Sequence, residues 1–331
     1  MSKHSSHPRV HDQNADTDAS PFHRGEQAIQ QRLGMREKIE DFGRRGIRDF
    51  MPEQHRLFFG QLPMFLIGSA DRQQRPWASL LVGAPGFIHS PNPKLLHIAA
   101  TPSVEDPFAE SLRDGATIGG LGIEFNTRRR NRVNGQAVLH EGGGGFNIRV
   151  DQSFGNCAKY IQARKPRFVR QRSRPNEQRS VRRFTHFDGE CRALVARTDT
   201  FFIATQFGDD PGDGRHGLDV SHRGGPLGFL TLEDDQTLLW PDYRGNFFFN
   251  TFGNIELDPR CGLLILDFET GDTLQLTGTA EVLWDTERDD PVLEGAQRSV
   301  RFYLDFGIHV RSAMPFAWDF LGQAREFSQA P

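Results

Sequence analysis

The sequence predicts a mainly β protein: two small antiparallel barrels in tandem, preceded by a helical segment and interrupted by a few short helices. Three observations carry this expectation. Strand-like runs separated by polar, glycine-bearing turns fill both halves of the chain. The composition is rich in Phe (28), Gly (34) and Pro (19) over 331 residues, which favours pleated, turn-rich packing over a helix bundle. The order of features in the first half also recurs in the second.

Residues 1–24 are Ser, His, Asp, Asn and Gln with almost nothing to bury, so a disordered tail is expected there. Residues 25–60 turn helical, with Ile29, Leu33, Ile39, Phe42 and Ile47 at loose three-and-four spacing and Pro52 opening a last short helix. A first barrel is expected over 61–162. Met64 to Ser69 and Trp77 to Val82 flank a polar loop, Lys94 to Ala99 makes a third strand, and Arg128 to His140 is a basic strand ending at four glycines. That tetraglycine lacks a following helix and Lys-Ser/Thr, so it is a turn and not a P-loop.

Residues 163–186 are expected to form a basic linker, and 187–331 the second barrel. Phe201-Phe202-Ile203 answers Met64-Phe65-Leu66, Gly217 to Arg223 answers Trp77 to Gly83, and Thr277-Gly278 answers Asn134-Gly135. The offsets stay between about 137 and 143 residues, the signature of an internal duplication. Near the end, Val300, Phe302, Leu304, Phe306, Ile308 and Val310 alternate as a strand with one buried face.

The net charge of −3 hides an asymmetry: residues 126–183 carry 15 Lys+Arg against three acids. Such a block faces an anionic ligand or the acidic part of its own fold. The run Arg128-Arg129-Arg130-Asn131-Arg132 alternates within a strand and has no interleaved aromatic platform, so a solvated or internally paired face is expected and not a nucleic-acid surface. Three scattered cysteines argue against a disulfide framework, and Cys157 lacks an adjacent base that would make it a nucleophile. His216 and His222 lack a third metal ligand nearby. No apolar run reaches bilayer length, and the expectation is a soluble, cytoplasmic protein.

The stretch from Ser221 to Thr251 carries the equipment for an anionic, partly aromatic ligand. Arg223 and Arg244 can make charge-assisted bonds to phosphate. The Gly224-Gly225 and Gly245-Asn246 turns let backbone N–H groups approach closely. His222, Asn246, Asn250 and Thr251 add hydrogen-bonding groups beside Asp242, and Trp240 or Tyr243 offers a flat wall. The alternative is two β-turns whose residues satisfy turn geometry alone. The segment Leu227 to Leu232 between them is expected as a short strand. The matching first-half positions, Val82-Gly83-Ala84 and His97 to Ala100, lack the arginines and the Gly-Asn turn. One complete site per chain is therefore expected, with the first barrel as its wall.

Four stretches support a resemblance: Ser20-Pro21-Phe22-His23-x-Gly25-Glu26, Phe50-Met51-Pro52-x-Gln54-His55, Asp151 to Gln162, and Ser221 extended to Ile255. From about residue 20 to 320 the chain resembles the pyridoxamine 5'-phosphate oxidase-like, FMN-binding split-barrel superfamily, and within it the two-barrel bacterial flavin-nucleotide-binding branch. The resemblance implies tandem split β-barrels with FMN in the groove between two barrels. In single-barrel members the second barrel comes from a homodimer; a duplicated chain could supply both itself, so either a monomer with pseudo-dimeric barrels or a homodimer is expected. It also implies that Gln152 and Ser153 approach the flavin from the first barrel. The chain ends Ala324-Arg325-Glu326-Phe327-Ser328-Gln329-Ala330-Pro331 and lacks the Arg-Leu-x-Pro substrate motif of pyridoxamine phosphate oxidases, so another substrate is expected. The functions implied are an FMN-dependent oxidoreductase fed by a reduced nicotinamide or organic substrate, a non-catalytic flavin carrier, or, ranked last, a haem-binding split barrel.

Overall fold

The computed structural model describes residues 19–169, 179–208, 213–215, 217–284 and 295–328. Three helices open the described chain: α1 (Arg24–Arg32), α2 (Arg36–Gly46) and α3 (Glu53–Gly60). A reciprocal capping box starts α1, with His23 Nδ1 accepting from the Gly25 N–H and Glu26 Oε2 accepting from the His23 N–H at 2.8 Å. The expected tail therefore ends earlier than residue 24. Phe22 and His23 are buried, because the apolar ring and the cap both need the body of the protein. Residues 1–18 lie outside the described residues.

The first half contains β1 (Met64–Ala70), β2 (Pro76–Val82), β3 (Ile88–Asn92), β4 (Leu95–Ile98), α4 (Pro107–Ser111), β5 (Thr117–Glu124), β6 (Arg129–Leu139) and β7 (Phe146–Gly155). After β8 (Ala163–Phe168) and β9 (Val181–Phe184), the second half repeats the plan. It contains α5 (Gly189–Ala196), β10 (Thr200–Phe207), β11 (Gly217–Gly224), β12 (Thr231–Leu232), β13 (Thr237–Asp242), α6 (Asn250–Leu257), β14 (Arg260–Leu266), β15 (Thr273–Leu283), β16 (Arg298–Val310) and β17 (Phe316–Gly322).

The strand orders are β2-β1-β5-β6-β7-β4-β3 and β11-β10-β14-β15-β16-β13-β12. Each strand of the first sheet has a counterpart at the same place in the second. Even the irregularities coincide: the ladder slips at Asn134/Gly135 between β6 and β7, and at Thr277/Gly278 between β15 and β16.

Each half closes over its own core, Phe65, Ile67, Leu96, Val133 and Ile148 in the first and Phe201, Ile203, Leu238, Leu263 and Leu276 in the second. A third core lies between them, built from Met64, Leu66, Leu121 and Ile123 on one side and Phe202, Ala204, Val220 and Leu264 on the other. The same exchange of halves relates its closest backbone approaches. A Cβ on Gly119 would stand 2.6 Å from Leu218 O, and Gly262 meets Pro76 in the same way. Only glycine fits where two barrel backbones approach this closely.

Two sequence expectations change here. The basic linker is partly structured: β8 pairs with β17, and β9 adds to β16. Its basic residues are tied into the fold, with Arg164 buried over the Phe268 ring and Arg167 bonded to Asp319. Residues 170–178 of that linker lie outside the described residues. The expected strand from Leu227 to Leu232 shrinks to Thr231–Leu232, because Gly228 turns left-handed (φ 84°) and Phe229 N–H closes onto Pro226 O.

Candidate functional site

Arg130 and Arg132 sit two residues apart on β6 and so leave the same face of the strand, the face that meets β11 of the other half. Arg132 is buried. Its Nη1 donates to Asp219 Oδ1 at 2.8 Å, its Nη2 donates to Ser221 Oγ, and its guanidinium lies over Phe154. Thr251 Oγ1 donates to the same Ser221 Oγ at 3.1 Å. Arg298, at the start of β16, pairs with Asp242 at 3.1 Å. That contact is a charge pair without hydrogen-bond geometry, since Arg298 Nε and Nη1 have no hydrogen-bond partner.

Arg130 and Arg223 differ from these two. Among the described residues, their hydrogen bonds go to backbone carbonyls. Arg130 Nε donates to Cys157 O at 2.6 Å, and Arg223 Nη1 donates to His222 O at 3.1 Å. All four arginines line one cleft between the barrels. Four guanidinia thus meet two carboxylates, Asp219 and Asp242. With Lys159 also lining the cleft, positive charge is in excess there, which suits an anionic ligand.

Burial and mutual repulsion shift the ionisable groups of the cleft. Desolvation, with Arg223 and Arg132 nearby, pushes Arg130 down to about 10. Desolvation also lowers Arg223, against the pull of Asp242. Burial raises Asp242 to about 6 despite its two arginine neighbours. His222 is 4% exposed, and both ring nitrogens lack a partner. Desolvation and the charges of Arg130, Arg223 and Arg164 hold it well below the usual imidazole range, so it is neutral at pH 7.

Helix α6 begins at the floor of this cleft. Phe247 (φ 62°) and Phe249 (φ 63°) are both left-handed, a strained backbone for aromatic residues. No side chain caps the helix, and Asn250 and Thr251 line the cleft. Its first-turn N–H groups and positive dipole end therefore add to the arginines. In the first half, α4 is capped by Asp106, which accepts from Phe108 N–H, Ser79 Oγ and Gln275 Nε2. Ser79 stands where Ser221 stands in the other half, and Gln275 where Arg132 stands. The first-half counterpart of the cleft thus carries its own carboxylate and no arginine at these positions.

Two stretches that look independent in the sequence meet behind α6. Gly25 and Gly253 let α1 and α6 approach so closely that a Cβ on Gly253 would stand 2.5 Å from Glu26 N. Across that contact His23 Nε2 bonds Asn254 Oδ1 at 2.9 Å, Asn254 Nδ2 reaches Thr205 and Asp219, and Glu26 Oε1 accepts from Asn250. The Ser20 to Glu26 motif therefore positions the helix that floors the cleft.

Burial, with the nearby Asp219 charge, pushes Glu26 up to about 8. A carboxyl whose folded-state pKa exceeds its unfolded value near 4.5 adds stability that is complete below pH 4.5 and lost as pH rises through 8. We expect the melting temperature to carry a component that declines over that window and levels off above it. In Glu26→Gln this component should be absent from a calorimetric pH series.

Of the residues proposed from sequence, the structure brings His222, Arg223, Gly224, Asp242, Tyr243, Gly245, Asn246, Asn250 and Thr251 to the cleft wall. Five others lie elsewhere. Trp240 is fully buried in the second core against Phe201, because both faces of β13 are covered. Gly225 lies behind the wall, its N–H bonded to Asp199 O and its carbonyl to Gln162. Arg244 is exposed, over Phe247. Ser153 is buried against His55 Nδ1 at 3.0 Å, and Gln152 Nε2 reaches Pro21 O at 3.4 Å. Their segment still contributes, through Asn156, Cys157, Lys159 and Tyr160. His216 lies outside the described residues, and among those described no group of three or more metal-ligating side chains converges.

Sequence reasoning missed Arg130, Arg132 and Arg298. The i, i+2 spacing of Arg130 and Arg132 on a strand was the available signal, since it puts both on one face. The side-chain acceptors of Arg132, Asp219 and Ser221, stand 87 and 89 residues away from it.

Residues 187–303 match the family model described as pyridoxamine 5'-phosphate oxidase. No curated protein matches the chain. Among solved structures, a putative pyridoxamine 5'-phosphate oxidase from Lactobacillus delbrueckii is 17% identical, covering 38% of this chain and 94% of that chain with a TM-score of 0.28. A FAD-binding protein from Mesorhizobium loti is 13% identical, covering 39% and 97% with a TM-score of 0.26. HupZ of Group A Streptococcus is 15% identical, covering 36% and 90% with a TM-score of 0.27. Likeness at this level carries no functional argument. The match to the pyridoxamine 5'-phosphate oxidase family model thus falls on the second barrel, over residues 187–303.

Proposed function

We propose that the inter-barrel cleft binds one FMN per chain and that the protein is an FMN-dependent oxidoreductase whose substrate is not pyridoxamine phosphate. The observation that carries this reading is the pair of guanidinia, Arg130 and Arg223, whose hydrogen bonds go to carbonyls beside the uncapped start of α6. Four guanidinia against two carboxylates leave this half-buried cleft short of negative charge, which an anion would supply. Phosphate supplies that anion, and Arg132 and Arg298, already paired with Asp219 and Asp242, fix the walls around it.

FMN, when bound, supplies hydride and electron transfer, and the protein contributes binding, orientation and electrostatics. Arg130 and Arg223 neutralise the phosphate. Neutral His222 offers one ring N–H donor and one ring acceptor to a ligand in a region already crowded with positive charge. Thr251 and Ser221, hydrogen-bonded to each other, hold the start of α6 against β11. The positive surroundings favour an anionic reduced ring over a neutral one.

A reduced nicotinamide is the electron donor most directly tested. FMN-loaded protein is expected to oxidise NADH or NADPH under saturating donor faster than the same concentration of free FMN. A rate equal to that of free FMN would remove the oxidoreductase reading and leave the flavin carrier.

A further inference from the structure

We infer that Tyr160 and Tyr243 form an aromatic slot at the mouth of the cleft that takes a planar, uncharged six-membered ring, and that Phe327 fills this slot as an internal stand-in. The two tyrosine rings come from opposite barrels. They stack with centroids 5.3 Å apart and planes 30° from parallel, and both line the cleft. Phe327 touches both, at 5.5 Å from Tyr160 and 5.3 Å from Tyr243.

Each tyrosine is held in place by more than this contact. Tyr160 is left-handed (φ 66°), its hydroxyl donates to Arg244 O at 2.9 Å, and its carbonyl sits where a Cβ on Gly224 would fall. A strained, anchored aromatic residue at a cleft mouth marks a position fixed by the surrounding structure. Tyr243 follows directly on Asp242, which pairs with Arg298.

Phe327 has a looser hold. Its segment is anchored at buried Ala324, whose N–H donates to Gln162 Oε1 at 2.9 Å, and Gln162 in turn bonds Gly225 O in the cleft's back wall. Beyond Ala324 the described chain makes a tight turn, with Phe327 N–H on Ala324 O. Apart from the two rings, its link to the first barrel is a long bond, 3.3 Å, from Tyr160 N–H to Glu326 Oε2. The anchor is fixed while the ring is held by two aromatic contacts and an exposed hydrogen bond. A ligand ring that stacks as well as Phe327 can therefore displace it. The slot adjoins the proposed flavin cleft, and its test uses protein without flavin, so either proposal can fail alone.

Cys157 lines the same cleft, whereas Cys191 and Cys261 are buried. Alkylation by iodoacetamide, read by mass spectrometry at each cysteine, therefore reports on the mouth. In Phe327→Ala, with the internal competitor gone, nicotinamide should slow the reaction at Cys157 at a concentration roughly tenfold below that needed in the unaltered protein. Nicotinamide protection that is absent, or unchanged by the substitution, would overturn the slot. Reaction at Cys191 and Cys261 would signal unfolding. Phe327→Leu, which keeps bulk but cannot stack, then replaces the alanine variant with the same expected direction.

Discussion

Arg223→Ala is expected to weaken FMN binding by roughly 10- to 150-fold, the factor for losing one charge-assisted hydrogen bond of about 1.5–3 kcal/mol. Arg130→Ala should do the same, because both guanidinia spend their hydrogen bonds on backbone carbonyls and not on carboxylates. Arg244→Ala should leave affinity within about twofold, since its side chain is exposed over Phe247 and outside the cleft wall. Quenching of flavin fluorescence on titration gives all three constants. Riboflavin provides the internal check: lacking the phosphate, it should be insensitive to Arg223→Ala. An affinity loss for Arg244→Ala larger than for Arg223→Ala would place the phosphate at the Gly245 turn. Arg132 and Arg298 are poorer probes, because each already pairs with a carboxylate, Asp219 or Asp242, whose charge its removal would leave less compensated.

Phe202→Ala should have the largest effect on stability, about 3–5 kcal/mol, the range for truncating a fully buried aromatic side chain. Phe202 is 0% exposed in the core between the barrels and meets His222 edge to face at 5.7 Å. The loss is thus felt where the two halves join and directly behind the cleft. Chemical denaturation should show the lower midpoint, and flavin affinity should fall with it even though Phe202 does not line the cleft. A variant that lost stability while keeping full affinity would show that the cleft does not depend on how the barrels are seated.

Much of the fold is legible in the sequence because its signals are local. Alternation over Val300 to Val310 reports one buried face, and the Gly135 and Gly278 positions mark the same bulge in both halves. The basic segment after residue 162 misleads because arginine can be buried by stacking and pairing, as Arg164 is over Phe268 and against Asp199. The site is legible where it follows β11 and the turn after β13. It is hidden where it crosses between halves. Arg130 and Arg132 read as a solvated or internally paired face, and nothing nearby in sequence announces Asp219 or Ser221 as the partners of Arg132. Trp240 misleads for the opposite reason: an aromatic residue beside a polar turn suggests a ligand wall, but β13 is covered on both faces. The motif around His23 and Glu26 acquires a physical meaning only when Gly25 is seen to seat against Gly253.

The central claim is that one cleft between two barrels of the same chain holds one flavin nucleotide, its first-half counterpart carrying Asp106 at the helix start and Gln275 in place of Arg132. Titrating the purified protein with FMN and counting bound flavin per chain tests this most directly. A single saturable class with one FMN per chain is the predicted result. Two equivalents per chain, or no saturable binding at all, would contradict it.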